Sequence, residues 1–242
     1  MSNTNNTLKI NHLSKKFGKT IVLQDVSLSV SQGSTYALLG PNGSGKTTLL
    51  KSLMGSIFYD TGSVYFNGKV NTNATDYKKD ITYMPQIPGL LPNLSPKESI
   101  GLLINLRQKE PVFKQQLIDD LGIKTFWNRP FSKLSGGMKQ KINILQCFMF
   151  ESNIIFLDEP TSSLDPQVAS YVKKWIKKLK ENNKTILFTS HIMSEVEDIA
   201  DKMALLNDGK ILFEVSPKEF TKKYQAKNLE EAMVKYWSSD VT

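Results

Sequence analysis

The chain has 242 residues, 40% of them hydrophobic, which suits one α/β domain with a proper core. No apolar run approaches the roughly 18 residues of a membrane-spanning helix, and residues 1–7 lack the basic start and apolar stretch of a signal peptide. The net charge of +8 favours nucleic acid or an anionic membrane face as partner, but the lysines are scattered as on a solvated surface, so the charge alone does not indicate a partner. The single cysteine, Cys147, cannot form an internal disulfide and fits a reducing compartment.

Strand and helix patterns alternate along the chain. The predicted strands are residues 8–13, 21–30, 35–39, 63–66, 69–70, 81–84, 154–157, 185–189, 203–206 and 210–213. The predicted helices are residues 46–54, 96–106, 113–120 and 166–180. This alternation predicts a mainly parallel sheet, and the opening strands with the Asn67-Gly68 hairpin predict an antiparallel part beside it.

Residues 40–47 read GPNGSGKT and match the phosphate-binding pattern G-x-x-x-x-G-K-[ST]. A buried-strand pattern precedes them and a helical pattern follows, which is the context that the motif requires. Backbone N–H groups and the helix N-terminus would hold phosphate oxygens, Lys46 would neutralise the β and γ phosphates, and the Thr47 hydroxyl would ligate Mg²⁺. The predicted ATP contacts here are Gly40, Pro41, Asn42, Gly43, Ser44, Gly45, Lys46, Thr47 and Thr48.

Two carboxylates, Asp158 and Glu159, follow the apolar strand at 154–157. Strand carboxyl ends in open α/β sheets point at the ligand crevice. Asp158 is predicted to hold Mg²⁺ through its water shell, and Glu159 to polarise the attacking water. The alternative is that these two residues only cap a helix, and the presence of a phosphate-binding loop in the same chain disfavours it.

Residues 134–140 read LSGGMKQ, where Ser135 would cap a helix whose N-terminus is an anion site. With the preceding motifs, this run resembles the signature of the nucleotide-binding subunits of ABC transporters, over nearly the full chain. In that family the signature binds the γ-phosphate of ATP held by the opposite subunit. The predicted contacts in trans are Leu134, Ser135, Gly136, Gly137 and Met138, the last standing where the family usually has Gln. The alternative is that these residues only begin a helix of the hydrophobic core. The two roles are compatible, because the helix can pack in the core while its N-terminus binds a phosphate.

Further residues resemble functional residues of the family and occur in the family's order along the chain. Gln86 resembles the Gln that senses Mg²⁺ and water, and so counts among the predicted ATP and metal contacts with Thr47 and Asp158. Ser163, Leu164 and Asp165 resemble the loop that communicates across the dimer, with helix capping as a compatible role. His191 resembles the γ-phosphate contact and is predicted to be catalytic with Glu159 and Lys46. Phe17 matches the aromatic on which adenine stacks, with a core Phe as the alternative.

The resemblance implies a P-loop NTPase fold: a RecA-like parallel sheet, an antiparallel β subdomain and an α-helical signature subdomain. The whole chain, 1–242, would be one ABC ATPase domain, with the helical subdomain at about 87–145 and a helical tail at about 216–242. It also implies ATP and Mg²⁺ as cofactors, two composite sites in what is expected to be a homodimer, and a separate transmembrane permease. The chain would lie peripherally on the cytoplasmic face of the inner membrane, with residues 87–92 as the docking region.

Three further segments bear on the type of transporter. Residues 228–233 resemble the terminal helix of export-type or copper-enzyme-maturation systems. Residues 83–87 and 189–195 resemble the ATPase of the transporter that matures nitrous-oxide reductase. The transported molecule and the direction stay open.

Three other functions compete with transport. A soluble ABC ATPase acting on nucleic acid or ribosomes fits the +8 charge, but the chain has neither a long coiled-coil insertion nor a second ATPase domain, so a nucleic-acid partner is not expected. A non-catalytic regulatory module is disfavoured by the intact Lys46, Asp158, Glu159 and His191. Nucleotide kinases and other phosphate-loop enzymes are disfavoured because they lack a second phosphate-binding motif such as that at 134–140.

Overall fold

The computed structural model describes residues 6–70, 75–162 and 164–239. The strands are β1 (Asn6–Phe17), β2 (Thr20–Ser31), β3 (Thr35–Leu39), β4 (Thr61–Phe66), β5 (Lys69–Val70), β6 (Ile81–Met84), β7 (Ile154–Asp158), β8 (Thr185–Ser190), β9 (Lys202–Asn207) and β10 (Lys210–Val215). The α-helices are α1 (Lys46–Leu53), α2 (Pro96–Arg107), α3 (Lys114–Asp120), α4 (Gly136–Phe148), α5 (Pro166–Glu181), α6 (Met193–Ile199), α7 (Pro217–Lys223) and α8 (Leu229–Ser239). Short 3₁₀ turns cover Thr75–Asp80, Ile123–Phe126 and Phe131–Lys133.

The described residues form two β-sheets. The first is antiparallel, with strand order β2-β1-β4-β5, and Asn67 and Gly68 both take positive φ in its predicted hairpin turn. The second has the order β10-β9-β3-β8-β7-β6 and is parallel except for β10. The predicted α/β fold with a mainly parallel sheet and an antiparallel part is confirmed.

The six-stranded sheet is covered on both faces, and β3 shows this in its burial. Ala37 and Leu39 join a hydrophobic cluster with α2 to α8, whereas Tyr36 and Leu38 join a second cluster with α1 and the antiparallel sheet. All five side chains of β3 are buried, and residues 36–39 form the apolar run that is typical of a strand covered on both faces. Because β8 pairs in parallel with both β3 and β7, the carboxyl ends of these three strands meet at one edge of the sheet.

The helical part packs against the first of these clusters. Helix α4 runs from Gly136 to Phe148 and contributes Ile142 and Leu145 to the same cluster as β7 and β8. At the other end of the chain, Phe220 of α7 and Tyr236 of α8 pack on Phe213 of β10, with ring centroids 4.7 and 5.2 Å from it. In the ranges that the structure describes, no helix combines the length and apolar character needed to cross a membrane.

Candidate active site

The phosphate loop joins β3 to α1, and two of its glycines are sterically required. Gly40 has φ 153° and Gly45 has φ 107°. A Cβ atom on Gly40 would lie 2.1 Å from the carbonyl oxygen of Leu206, and one on Gly45 would lie 2.7 Å from that of Val22. The loop therefore turns tightly between β9 and β2, and its backbone stays open toward the side where a ligand can approach.

The ammonium group of Lys46 lies inside this loop. It donates to the carbonyl oxygens of Gly40 at 2.7 Å and Pro41 at 3.1 Å. Burial lowers the pKa of Lys46, and the nearby carboxylates of Glu159 and Asp158 oppose that shift. The buried hydroxyl of Ser44 has no hydrogen-bond partner among the described residues. A loop with a buried cation and an unpaired hydroxyl suits an anion such as a phosphate.

Asp158, at the end of β7, is buried and surrounded by hydroxyl groups. Its Oδ2 accepts hydrogen bonds from Thr47 Oγ1 at 2.8 Å and Tyr83 OH at 3.3 Å, and its Oδ1 accepts one from Thr189 Oγ1 at 2.7 Å. Burial, followed by the charge of Asp158, raises the pKa of Tyr83, which keeps its hydroxyl a donor. Carboxylate and hydroxyl oxygens are ligands that Mg²⁺ prefers, so this donor set fits the predicted metal.

Glu159 has a strained backbone, with φ at 49°. Three hydrogen bonds hold this conformation: its N–H donates to Thr189 Oγ1, and its carbonyl accepts from the N–H and hydroxyl of Ser162. Its carboxylate accepts from Gln86 Nε2 at 2.9 Å and lies 3.3 Å from Nδ1 of His191. A non-glycine residue in this region costs about 1–3 kcal/mol and is typical of functional sites.

A cavity of about 470 Å³ opens over these groups. It is lined by Phe17, Val22, Asn42, Gly43, Gly45, Lys46, Thr47, Thr48, Gln86 and Glu159. The Phe17 ring is 49% exposed, as an aromatic platform requires, and Lys15 Nζ lies 5.1 Å from the ring centroid. Gly40, Pro41, Ser44, Asp158 and His191 contact or adjoin the lining residues without lining the cavity themselves.

The signature residues are not among those that line this cavity. Ser135 caps α4, its hydroxyl accepting from the N–H of Met138 at 3.3 Å, and Gly136 and Gly137 are exposed. Leu134, in contrast, is buried. The N-terminus of α4 therefore faces the outside of the chain, and a helix N-terminus is suited to binding an anion.

Two side chains of α4 tie it to the loop that carries Gln86. Gln140 donates to the carbonyl oxygen of Gln86 at 3.0 Å, and Asn143 donates to that of Pro85 at 2.8 Å. A displacement of α4 would therefore move Gln86, and with it a hydrogen-bond donor to Glu159.

The predicted communication loop is described in part. Leu164 packs against the larger hydrophobic cluster, and Asp165 caps α5 by accepting from the N–H of Val168 at 3.0 Å. Ser163 lies outside the described residues. The capping role proposed as an alternative for Asp165 is thus present in the structure.

Three polar residues of the site were missed in the sequence analysis: Tyr83, Thr189 and Glu195. Tyr83 and Thr189 stand near the carboxyl ends of β6 and β8, which is the available signal for them, whereas Glu195 lies within α6 and has no such signal. Glu195 is 7% exposed, and its carboxylate accepts hydrogen bonds from the hydroxyl groups of Thr161 and Ser190, which flank the site.

Comparison with known proteins identifies the chain. Residues 23–162 match the family described as "ABC transporter". The lantibiotic transport ATP-binding protein SrtF of Streptococcus pyogenes is 34% identical over 93% of this chain and 94% of its own length. The bacitracin transport ATP-binding protein BcrA of Enterococcus faecalis is 33% identical over 89% of this chain and 71% of its own length. The sulfate/thiosulfate import ATP-binding protein CysA of Synechocystis sp. is 31% identical over 84% of this chain, and the chain spans only 58% of it.

Solved structures agree with this assignment. An ATP-binding subunit of an ABC transporter has a TM-score of 0.85 at 25% identity, covering 94% of this chain and 98% of that one. A dimeric ATP-binding cassette in a post-hydrolysis state, bound to ADP and Pi, has a TM-score of 0.75 at 25% identity, covering 86% and 98%. The chain belongs to the ABC transporter family and is an ATP-binding, ATP-hydrolysing subunit of it.

Proposed function

We propose that two copies of this chain close on Mg·ATP to form two composite sites and that hydrolysis reopens them, driving a separate permease. The observation that carries the proposal is that the two phosphate-binding motifs of the chain lie in different places. The phosphate loop lines the cavity, whereas Ser135 and Gly136 are exposed at the end of α4 and do not line it. A second copy can supply them, as the dimeric relative supports.

Each side chain has a proposed part in binding. Phe17 stacks on adenine, and the backbone of residues 40–48 with Lys46 holds the phosphates. Thr47, Asp158 and Gln86 hold Mg²⁺, whose charge would offset the charge on the phosphate oxygens. Leu164, Asp165 and Ser163 link the two sites across the dimer.

The hydrolytic residues are Glu159 and His191. Glu159 orients and polarises the attacking water, because its carboxylate faces the cavity and is kept in place by its strained backbone and by Gln86. His191 is half exposed beside Glu159, so it can reach both this carboxylate and the γ-phosphate. Phosphoryl transfer depends mainly on such positioning and charge stabilisation.

We propose that the permease docks on the helical subdomain at 87–145, near the cytoplasmic face of the membrane. Ile87 is 80% exposed and Leu91 is 59% exposed, next to Gln86. Exposed apolar side chains that adjoin a catalytic loop suit a contact that transmits its motion. The tail at 216–242 stays with the same single domain.

We propose export of an antibiotic, because SrtF and BcrA are named for lantibiotic and bacitracin transport, although CysA is named as an importer. The narrower prediction of a copper-maturation transporter is not supported by these relatives, which are named for antibiotics and sulfate, and it stays a prediction. Deletion of the gene would test both: antibiotic sensitivity supports export, and loss of copper-site assembly in a copper enzyme supports maturation.

The composite site is tested with Glu159→Gln, which should bind ATP without hydrolysing it. Light scattering should detect a dimer that forms on adding Mg·ATP. Adding Ser135→Arg to the same chain should abolish the dimer, because a large cation would fill the signature. If Glu159→Gln binds ATP but stays monomeric, two copies alone do not form the site and the homodimer proposal fails.

A further inference from the structure

Glu195 lies in α6, one turn beyond His191, and its carboxyl group is buried at 7% exposure. Its Oε1 accepts a hydrogen bond from the hydroxyl of Thr161, and its Oε2 accepts one from the hydroxyl of Ser190 at 3.1 Å. Thr161 stands two residues after Glu159, and Ser190 stands immediately before His191. One side chain therefore joins the segments that carry the two proposed hydrolytic residues.

This link reaches the backbone of the His191 turn. Ser190 Oγ, besides donating to Glu195, accepts from the N–H of Ile192 at 3.0 Å. The partners are buried as well, with Thr161 at 6% and Ser190 at 2% exposure. Burying a carboxyl group costs free energy unless hydrogen bonds satisfy it, so the contact is held in one geometry.

The Glu159 segment needs such a restraint. Its backbone at φ 49° persists only when its surroundings fix it. Thr189 holds its N–H and Ser162 holds its carbonyl oxygen, but Ser162 belongs to the same loop. Glu195 connects this loop, at Thr161, to a separate helix.

Glu195 does not line the cavity, and both of its carboxylate oxygens already accept hydrogen bonds from the hydroxyl groups of Thr161 and Ser190. We propose that Glu195 is a positioning residue, which locks the loop after Glu159 to the turn that holds His191 and so sets the distance between those two side chains. The inference rests on the hydrolytic roles proposed above for Glu159 and His191.

Hydrogen exchange tests, without requiring turnover, whether Glu195 holds the loop after Glu159 to the turn that carries His191; we call this link the lock. Glu195→Ala should speed amide exchange at Thr161, Ser162, Leu164 and Ile192 by about tenfold or more, because two buried hydroxyl groups lose their acceptor. Glu195→Gln should recover most of the protection, since an amide can accept from one hydroxyl and donate to the other. Thr185→Val, at the opposite end of β8, removes the acceptor for the N–H of Gly33 and is the matched control.

Steady-state kinetics test the consequence. Glu195→Ala should lower kcat by about tenfold with KM for ATP unchanged, and Glu195→Gln should restore kcat. Thr161→Val should lower kcat similarly, and the double variant should be no worse than either single change. Thr185→Val should leave kcat as it is. If Glu195→Ala changes neither exchange nor kcat, or the Thr161 and Glu195 effects multiply, the lock is disproved.

The two proposals can fail separately. If Glu159→Gln hydrolyses ATP at the normal rate, the proposed hydrolytic role of Glu159 is wrong. The exchange measurement and the Thr161–Glu195 coupling then still decide whether the lock exists.

Discussion

The ammonium group of Lys46 lies 2.7 Å from the carbonyl oxygen of Gly40, the residue that begins its phosphate loop. Because burial lowers the pKa of Lys46, a bound anion would restore a favourable environment for the charge. Lys46→Ala should therefore weaken ATP binding about 10- to 100-fold, as expected for a lost charge-assisted hydrogen bond. Calorimetric titration measures this directly. Lys51→Ala, an exposed lysine of the same helix, should bind ATP normally; equal affinities in both variants would contradict the role of Lys46.

The exposed ring of Phe17 predicts a base-stacking contribution. Phe17→Ala should weaken ATP binding about tenfold, because stacking a base on an aromatic ring contributes about 1–3 kcal/mol. Phe17→Tyr should bind like the original chain. Phe58→Ala removes a ring that is 72% exposed but does not line the cavity, so it should change nothing. A similar loss in both alanine variants would point to a general effect on the fold instead.

The phosphate loop could be predicted from sequence because its determinants are local. Gly40 and Gly45 lie within one short run, and the flanking strand and helix patterns are continuous with it. The contacts of Asp158 could not be predicted in the same way. Thr189 meets it only because the register of β7 and β8 pairs these two residues. Such register depends on tertiary packing and leaves no local signal.

The length of β1 illustrates a second limit. Period-two alternation predicts a strand over 8–13, but β1 extends from Asn6 to Phe17 with register shifts. His12 has φ 50°, and its N–H donates to Ser27 Oγ. The irregularity breaks the alternation that would otherwise mark the second half of the strand.

Asp198 provides a pH prediction away from the site. Hydrogen bonds from Lys177 and Lys173 of α5 hold the pKa of Asp198 below its ordinary value of 3.8, although burial opposes this shift. A depressed pKa stabilises the fold above the ordinary value, and that stability is lost as pH falls through the lower, folded value. Because Asp198 is about one-third exposed, Asp198→Asn should cost less than about 1 kcal/mol at neutral pH.

This cost should vanish in acid. Urea unfolding at neutral pH and again well below pH 3.8 measures the difference between Asp198→Asn and the original chain. Glu197→Gln, at the neighbouring exposed carboxylate of α6, should show no comparable pH-dependent cost. A cost for Asp198→Asn that persists at low pH would show that its origin is packing rather than charge.

Thr189 and Thr185 offer a comparison within one strand, since both are buried in β8 and both make hydrogen bonds. The Thr189 hydroxyl donates to Asp158 Oδ1 and accepts from the N–H of Glu159, so Thr189→Val leaves two buried groups unpaired. The free energy of unfolding should fall by about 2–3 kcal/mol, and kcat should fall at least tenfold. Thr185→Val should cost only about 1 kcal/mol and leave kcat unchanged, whereas Thr189→Ser should keep both stability and turnover. Equal kcat values for the two valine variants would mean that Thr189 contributes to folding alone, because the strained Glu159 would then keep its position without it.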